Sequence, residues 1–233
     1  EPIVVYKEIE KTGAIKTLAE ILKCRYMWPI MIINFFATGI NFTLTMWALP
    51  YFTDVYSLSV TNAGTVTFFY PLCAGLFGII SCAVSDRLGV RKVISFAMAC
   101  ALCGLFAVMS FVGSGKPPIN LSIAAILLIG GLQSYTFLSF GTAKDLNNPH
   151  YSGMSTSVAN VSMHIGSAIV PLSAGVIINK YLPQIGAAGA YQKVFVLFLV
   201  LTIVCAVLSV FILETNCKNR YQEIRQKTYG KRA

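Results

Sequence analysis

A chain of 233 residues with 56% apolar and 12% charged side chains, and a mean hydropathy of +0.69, has too little polar surface to coat a soluble globule. Its net charge of +9 would suit a nucleic-acid binder if the cations formed a stripe, but they gather at the ends of apolar runs. Of the 7 cysteines, the Cys100-x-x-Cys103 pair sits inside an apolar run with no further ligand nearby, which argues against a zinc or redox centre.

The chain begins at Glu1 without the charged, apolar and small-residue pattern of a secretory leader, and is expected to be a piece of a longer protein. Residues 1–27 form a basic lead-in. Within it, 15–25 sets Ile15, Leu18, Ala19, Ile21 and Leu22 among Lys16, Glu20 and Lys23, which suits either a short helix on a membrane surface or an unstructured linker. A spanning helix needs about 20 largely apolar residues to cross roughly 30 Å of hydrocarbon. Six stretches qualify: 28–52, 61–84, 93–112, 119–143, 151–179 and 194–213. The connectors 54–59, 85–92, 113–118, 144–150 and 180–193 carry helix breakers, and a basic tail, 214–233, follows. The expected fold is an all-α membrane protein, one bundle of six transmembrane helices.

In the first helix Asn34, Thr38, Asn41 and Thr45 recur at i, i+4, i+7 and i+11, a stripe along one face. The second has Thr67 and Tyr70 just before Pro71, then Gly75 and Gly78, and the third is almost wholly apolar. The fourth places Gln133 and Thr136, with Ser134 and Tyr135, beside Gly130-Gly131. The fifth has its own stripe, Gly153, Ser157, Asn160, His164, Ser167, Pro171 and Gly175, and the sixth is again apolar. Polar groups are costly in hydrocarbon, so helices one, four and five are expected to turn these stripes inward and helices three and six to face lipid. Small residues in such stripes also serve close helix packing. Amides and an imidazole near mid-membrane, at Asn34, Asn41, Asn160 and His164, point instead to a wet cavity. Pro71 and Pro171 permit a static bend or a gate. His164 can exchange a proton near neutral pH, or simply hydrogen-bond a neighbouring amide.

Lys and Arg set orientation. Lys7, Lys11, Lys16, Lys23, Arg25, Arg87, Arg91, Lys92, Lys144, Lys218, Arg220, Arg225, Lys227, Lys231 and Arg232 fall on the side of both termini, and Lys116, Lys180 and Lys193 on the other. That asymmetry places both termini in the cytoplasm. The tail, with Tyr221 and Tyr229 as its aromatics, reads as solvated or lipid-facing rather than as a nucleic-acid arm.

Enzyme chemistry finds no support. Gly153-Met154-Ser155 beside a histidine looks like a serine protease, but Ser155 and His164 share one helix and point about 180° apart. There is no His-Glu-x-x-His, no intramembrane aspartate pair and no phosphate-cradling glycine loop.

The second connector, Ser85-Asp86-Arg87-Leu88-Gly89-Val90-Arg91-Lys92, resembles the Asp-Arg-x-Gly-Arg-Arg signature of the major facilitator superfamily, found at the cytoplasmic ends of the second and eighth of twelve helices. Val90 stands where the first arginine of the pair is usual, and Cys82 where a glycine is usual. Leu213-Glu214-Thr215 occupies the place of the family's Pro-Glu-Thr. The resemblance covers the whole chain and is to the carboxy-terminal half, helices seven to twelve; the lead-in and first helix are similar to the organophosphate and anion transporter branch. It implies an inverted three-plus-three repeat, with substrate bound at mid-membrane between two halves. Ser85-Asp86-Arg87-Leu88 against Asn179-Lys180-Tyr181-Leu182 is a faint internal echo of that repeat.

The expected function is therefore half of a secondary transporter, moving a small polar solute by alternating access in a plasma membrane or bacterial inner membrane. Asn34, Asn41, Tyr70, Gln133, Tyr135, Asn160 and His164 are expected to line the substrate site, with His164 the candidate for proton-coupled symport. Asp86, Arg87, Gly89 and Arg91 are expected to form a cytoplasmic gate. The expected partners are membrane lipid and either an amino-terminal six-helix half or a second copy; no metal, cofactor or nucleic acid is expected. The alternative is a non-transporting or self-associating membrane module that binds partners or lipids.

Overall fold

The computed structural model describes residues 13–229, so Lys7, Lys11, Lys231 and Arg232 lie outside the described residues. Helix α1 (Ala14–Lys23) buries Thr17 and Ile21 and leaves Ile15, Lys16 and Glu20 exposed, so the lead-in is helical at this point. After a three-residue connection, α2 (Met27–Tyr56) carries Pro29 in its first turn, where the missing N–H breaks no helical bond. Helix α3 (Val60–Leu88) starts on Ser59, whose hydroxyl accepts the Asn62 N–H, and stops at Gly89, whose φ of 68° is a left-handed cap. Then follow α4 (Lys92–Phe111), α5 (Ile119–Leu132), a 3-10 turn (Gln133–Tyr135) and α6 (Thr136–Leu146). Helix α7 (Ser152–Val210) and the short α8 (Tyr221–Tyr229) complete the chain.

Five helical stretches are long and apolar enough to cross a membrane, the last covering Pro149–Val210. That last stretch is interrupted at Gly186, the one non-helical residue inside α7 (φ 73°, ψ 176°). Contacts with α2 show what the interruption does. Gly166 approaches Phe35, Gly39 meets Val170 and Gly175 faces Trp47, so the first leg ascends beside α2. Beyond Gly186 the order reverses: Tyr191 and Phe195 pack on Tyr51, and the Cys205 Sγ lies 4.0 Å from the Ile33 carbonyl. The chain thus folds back on itself at Gly186. Only glycine adopts such torsions readily, and a Cβ there would meet no atom within 4 Å. Gly186→Ala is therefore expected to destabilise through backbone strain alone, by about 1–3 kcal/mol. Thermal unfolding of the purified protein checks this, and an unchanged midpoint would refute it.

The sequence reading placed a connector at 180–193, yet these residues are helical apart from Gly186. Ala187, Ala188 and Ala190 sustain the helix beyond the apolar run. The reading also expected one unbroken fourth helix. It breaks into a 3-10 turn just after Gly130-Gly131, which have the weakest helix propensity after proline and let α3 approach closely. A Cβ at Gly130 would lie 2.8 Å from the Tyr70 carbonyl oxygen, and one at Gly131 would lie 2.8 Å from the Phe77 ring. Nor are the third and sixth helices the least covered. Phe106 on α4 meets Phe198 of the second α7 leg edge-on at 5.6 Å, both buried, whereas only 11% of the apolar stretch of α3 is buried.

At the end of the bundle away from the termini, Tyr56 donates to the Pro117 carbonyl and sits 2.6 Å from the Ser122 hydroxyl. Tyr191 donates to Asp54. These bonds tie the end of α2 to the loop before α5 and to the start of the second α7 leg.

Candidate functional site

Polar chemistry is concentrated in three places, which share few residues with one another.

The first is a charged hub at the terminus end. Arg91, at the start of α4, pairs with Asp145 near the end of α6, and both side chains are largely buried (14% and 16% exposed). Asp86 reaches the same guanidinium at 3.4 Å but is 66% exposed. Asp145 also accepts from Thr215 at 2.9 Å, while its carbonyl accepts the Arg220 N–H at 2.7 Å. Glu214 accepts the backbone N–H groups of Arg91 and Lys92 at 3.1 and 2.9 Å, binding a carboxylate at the N-terminus of α4 where the helix dipole favours it. A Cβ at Gly141 would lie 2.5 Å from the Arg91 Cζ, so the glycine gives the guanidinium its seat. The Cys217 Sγ rests 3.8 Å from the Ser85 carbonyl, and burial pushes its thiol up, opposed by Arg91 and assisted by Asp86.

Of the four expected gate residues, the hub contains Asp86 and Arg91, with Gly89 as the cap that turns the chain between them. Arg87 is exposed and takes no part in the hub. Sequence reading missed Asp145 and Gly141, and it noted Glu214 and Thr215 only as the place of the family's Pro-Glu-Thr, without joining them to Arg91. It also read the tail, 214–233, as solvated or lipid-facing, whereas Thr215 near its start is fully buried.

The second is an exposed face on the first leg of α7. Asn160 and His164 sit one turn apart on it, open to the surroundings of the bundle, among the exposed apolar residues Val161, Ile165, Ile169 and Leu172. Ser157 and Ser167 share that side but spend their hydroxyls on their own helix, at the Gly153 and His164 carbonyls. The expectation that this stripe turns into the bundle does not hold for the chain as it stands. On α2, Asn41 is half-buried and Thr45 exposed. The pairing of Phe35 with Gly166 puts His164 about two turns closer to the terminus end than Asn41, at 1.5 Å per residue.

The third lies inside. Asn34, Tyr70, Gln133 and Tyr135 are between 0% and 3% exposed. Tyr135 lies beside the Cys205 thiol of the second α7 leg, away from the exposed face. Both amide atoms of Asn34 and of Gln133, the Tyr70 hydroxyl and the Ser134 hydroxyl are buried with no hydrogen-bond partner among the described residues. Left dry, each such atom costs about 1–3 kcal/mol. The stripe seen in the sequence therefore divides, with Asn34 enclosed, Thr38 and Asn41 at the boundary and Thr45 outside.

The family model described as Major Facilitator Superfamily matches residues 31–229, most of the chain. The glucose-6-phosphate exchanger SLC37A1 of Homo sapiens is 30% identical over 155 residues, which cover 61% of this chain and 28% of that protein. The chain thus spans less than a third of the length of that relative.

Proposed function

This chain belongs to the Major Facilitator Superfamily, whose members are membrane transporters rather than enzymes, and we propose that it is the carboxy-terminal half of a secondary transporter that moves a small polar solute by alternating access. The stretch Pro149–Val210 supports six crossings: unbroken, it would extend roughly 90 Å, about three times the hydrocarbon thickness. The fold-back at Gly186 divides it into two spans. With six crossings, the excess of Lys and Arg at the terminus end orients both termini to the cytoplasm of a plasma membrane or bacterial inner membrane.

The observation that carries the solute site is the exposed pair Asn160 and His164, polar groups on a helix otherwise clothed for lipid. An amino-terminal bundle covering this face turns it into a cavity wall, with Asn41 further along it. Amide and imidazole groups suit a hydroxyl-rich solute. The name of the human relative adds a phosphate, and this face carries no lysine or arginine among Asn41, Asn160 and His164, so an anionic group takes its permanent cationic clamp from the other half. His164 is the group on this face suited to proton coupling.

The test is uptake by the full-length transporter in liposomes. Asn160→Ala and His164→Ala are each expected to cut uptake at least tenfold while leaving the melting temperature unchanged, because neither side chain is packed. Wild-type uptake by both variants would overturn this site.

A further inference from the structure

We infer that Asn34, Tyr70, Gln133 and Ser134 enclose internal water within this half bundle, a hydrated site separate from the proposed solute face. Six of the buried side-chain atoms without partners among the described residues belong to these four residues, on α2, α3 and the turn between α5 and α6. Both α2 and α3 pack against that turn. The Tyr70 ring lies against Gly130, and the Ser134 Cβ lies 3.6 Å from where a Gly78 Cβ would stand. Residues 133–135 also pack against α2. The Tyr135 hydroxyl neighbours Cys205, whose sulfur lies near the Ile33 carbonyl, so residue 34 is at the depth of the turn.

The kind of atom decides the ligand. Two amide nitrogens donate, two amide oxygens accept, and two hydroxyls do either. A metal cation would leave the amide donors unmatched, and an anion would leave the carbonyl oxygens unmatched. Water does both, and with about three hydrogen bonds to each buried water, six atoms account for about two molecules. None of the four residues is charged, so nothing here holds an ion by charge. The site also adjoins the place where the fourth span leaves α-helical geometry, where backbone carbonyls lose regular partners.

Hydroxyl radicals generated by X-ray pulses form wherever water is, including inside a protein, and their products are read residue by residue by mass spectrometry. In the full-length transporter in lipid nanodiscs, Tyr70 is expected to label at least fivefold faster than Phe106 and Met109 after correction for intrinsic reactivity. Those two α4 residues are equally buried but lie in apolar packing. The apolar pair Asn34→Leu with Gln133→Met is expected to bring Tyr70 down to the Phe106 rate. Labelling of wild-type Tyr70 at the Phe106 rate would show the site to be dry and overturn the inference, even if the paired variant did not fold. Labelling involves no transport, so this result and the uptake test fail independently.

Discussion

Gly166→Ala is expected to be among the most destabilising single-methyl additions in this bundle. A Cβ at Gly166 would stand 1.9 Å from the Phe35 carbonyl oxygen, 2.6 Å from its carbon and 2.8 Å from its Cα. All three are backbone atoms, so no rotamer relieves the clash and α2 and α7 must move apart. The same crossing is tight from the other side, where a Cβ at Gly39 would meet the Val170 Cγ2 at 2.4 Å and the Gly166 carbonyl oxygen at 2.8 Å. Helices in lipid gain no hydrophobic term from associating and depend on such close contact. Overpacking costs about 1–3 kcal/mol where side chains can yield, and a backbone clash belongs at or above that upper figure. With about 2–4 °C per kcal/mol for a chain of this size, the melting temperature should fall by roughly 6–12 °C. Gly64→Ala is the matched control, since its Cβ meets nothing within 4 Å and alanine favours a helix by up to about 1 kcal/mol. It should hold or slightly raise the midpoint. A Gly166→Ala protein as stable as Gly64→Ala would mean that the two helices cross further apart.

Gly166 also marks a limit of reading by pattern. Periodicity picked out Gly153 and Gly175 with the polar stripe, yet Gly166 is the glycine wedged most tightly against a neighbouring backbone. Period says which residues share a face, but not what covers it. For that reason Asn34 and Thr45, members of one stripe, end respectively in the interior and outside. Apolar run lengths did locate α2, α3 and α4 to within a few residues, because hydrocarbon thickness dictates their span. Hydropathy reports on the medium and not on the backbone, so it could not show that 180–193 stays helical around a single broken residue. The Asp86–Arg91 signature lies at the end of the bundle that holds the charged hub. The partners that complete the hub lie 54 and 123 positions from Arg91, beyond any local pattern. A weaker signal was present. Acidic residues number 9 against 18 cations, and Asp145 and Glu214 each sit where an apolar run ends.

Within that hub the two carboxylates facing Arg91 are expected to differ sharply in weight. Asp86 is mostly in solvent, where a pair contributes about 0–1 kcal/mol, so Asp86→Ala should leave the melting temperature within a few degrees of wild type. Asp145 is largely buried, and its loss leaves the Arg91 guanidinium with only the exposed Asp86 and takes the acceptor from the Thr215 hydroxyl. Removing one partner of a buried pair costs about 3–5 kcal/mol, and the residual exposure here favours the lower figure. Asp145→Ala and Arg91→Ala should therefore each lower the midpoint by roughly 6–12 °C. A double-mutant cycle separates the contact from its surroundings, with an expected coupling of about 2 kcal/mol for Arg91–Asp145 and under about 0.5 kcal/mol for Arg91–Asp86. Gly141→Ala, which pushes against the guanidinium without removing charge, should lose part of the first coupling while Asp86→Ala leaves it intact. Equal couplings for the two carboxylates would refute this ranking. If the ranking holds, the bond between the start of α4 and the end of α6 is the one whose breakage releases this end of the bundle. Asp86, despite its place in the signature, then acts at the rim of that bond.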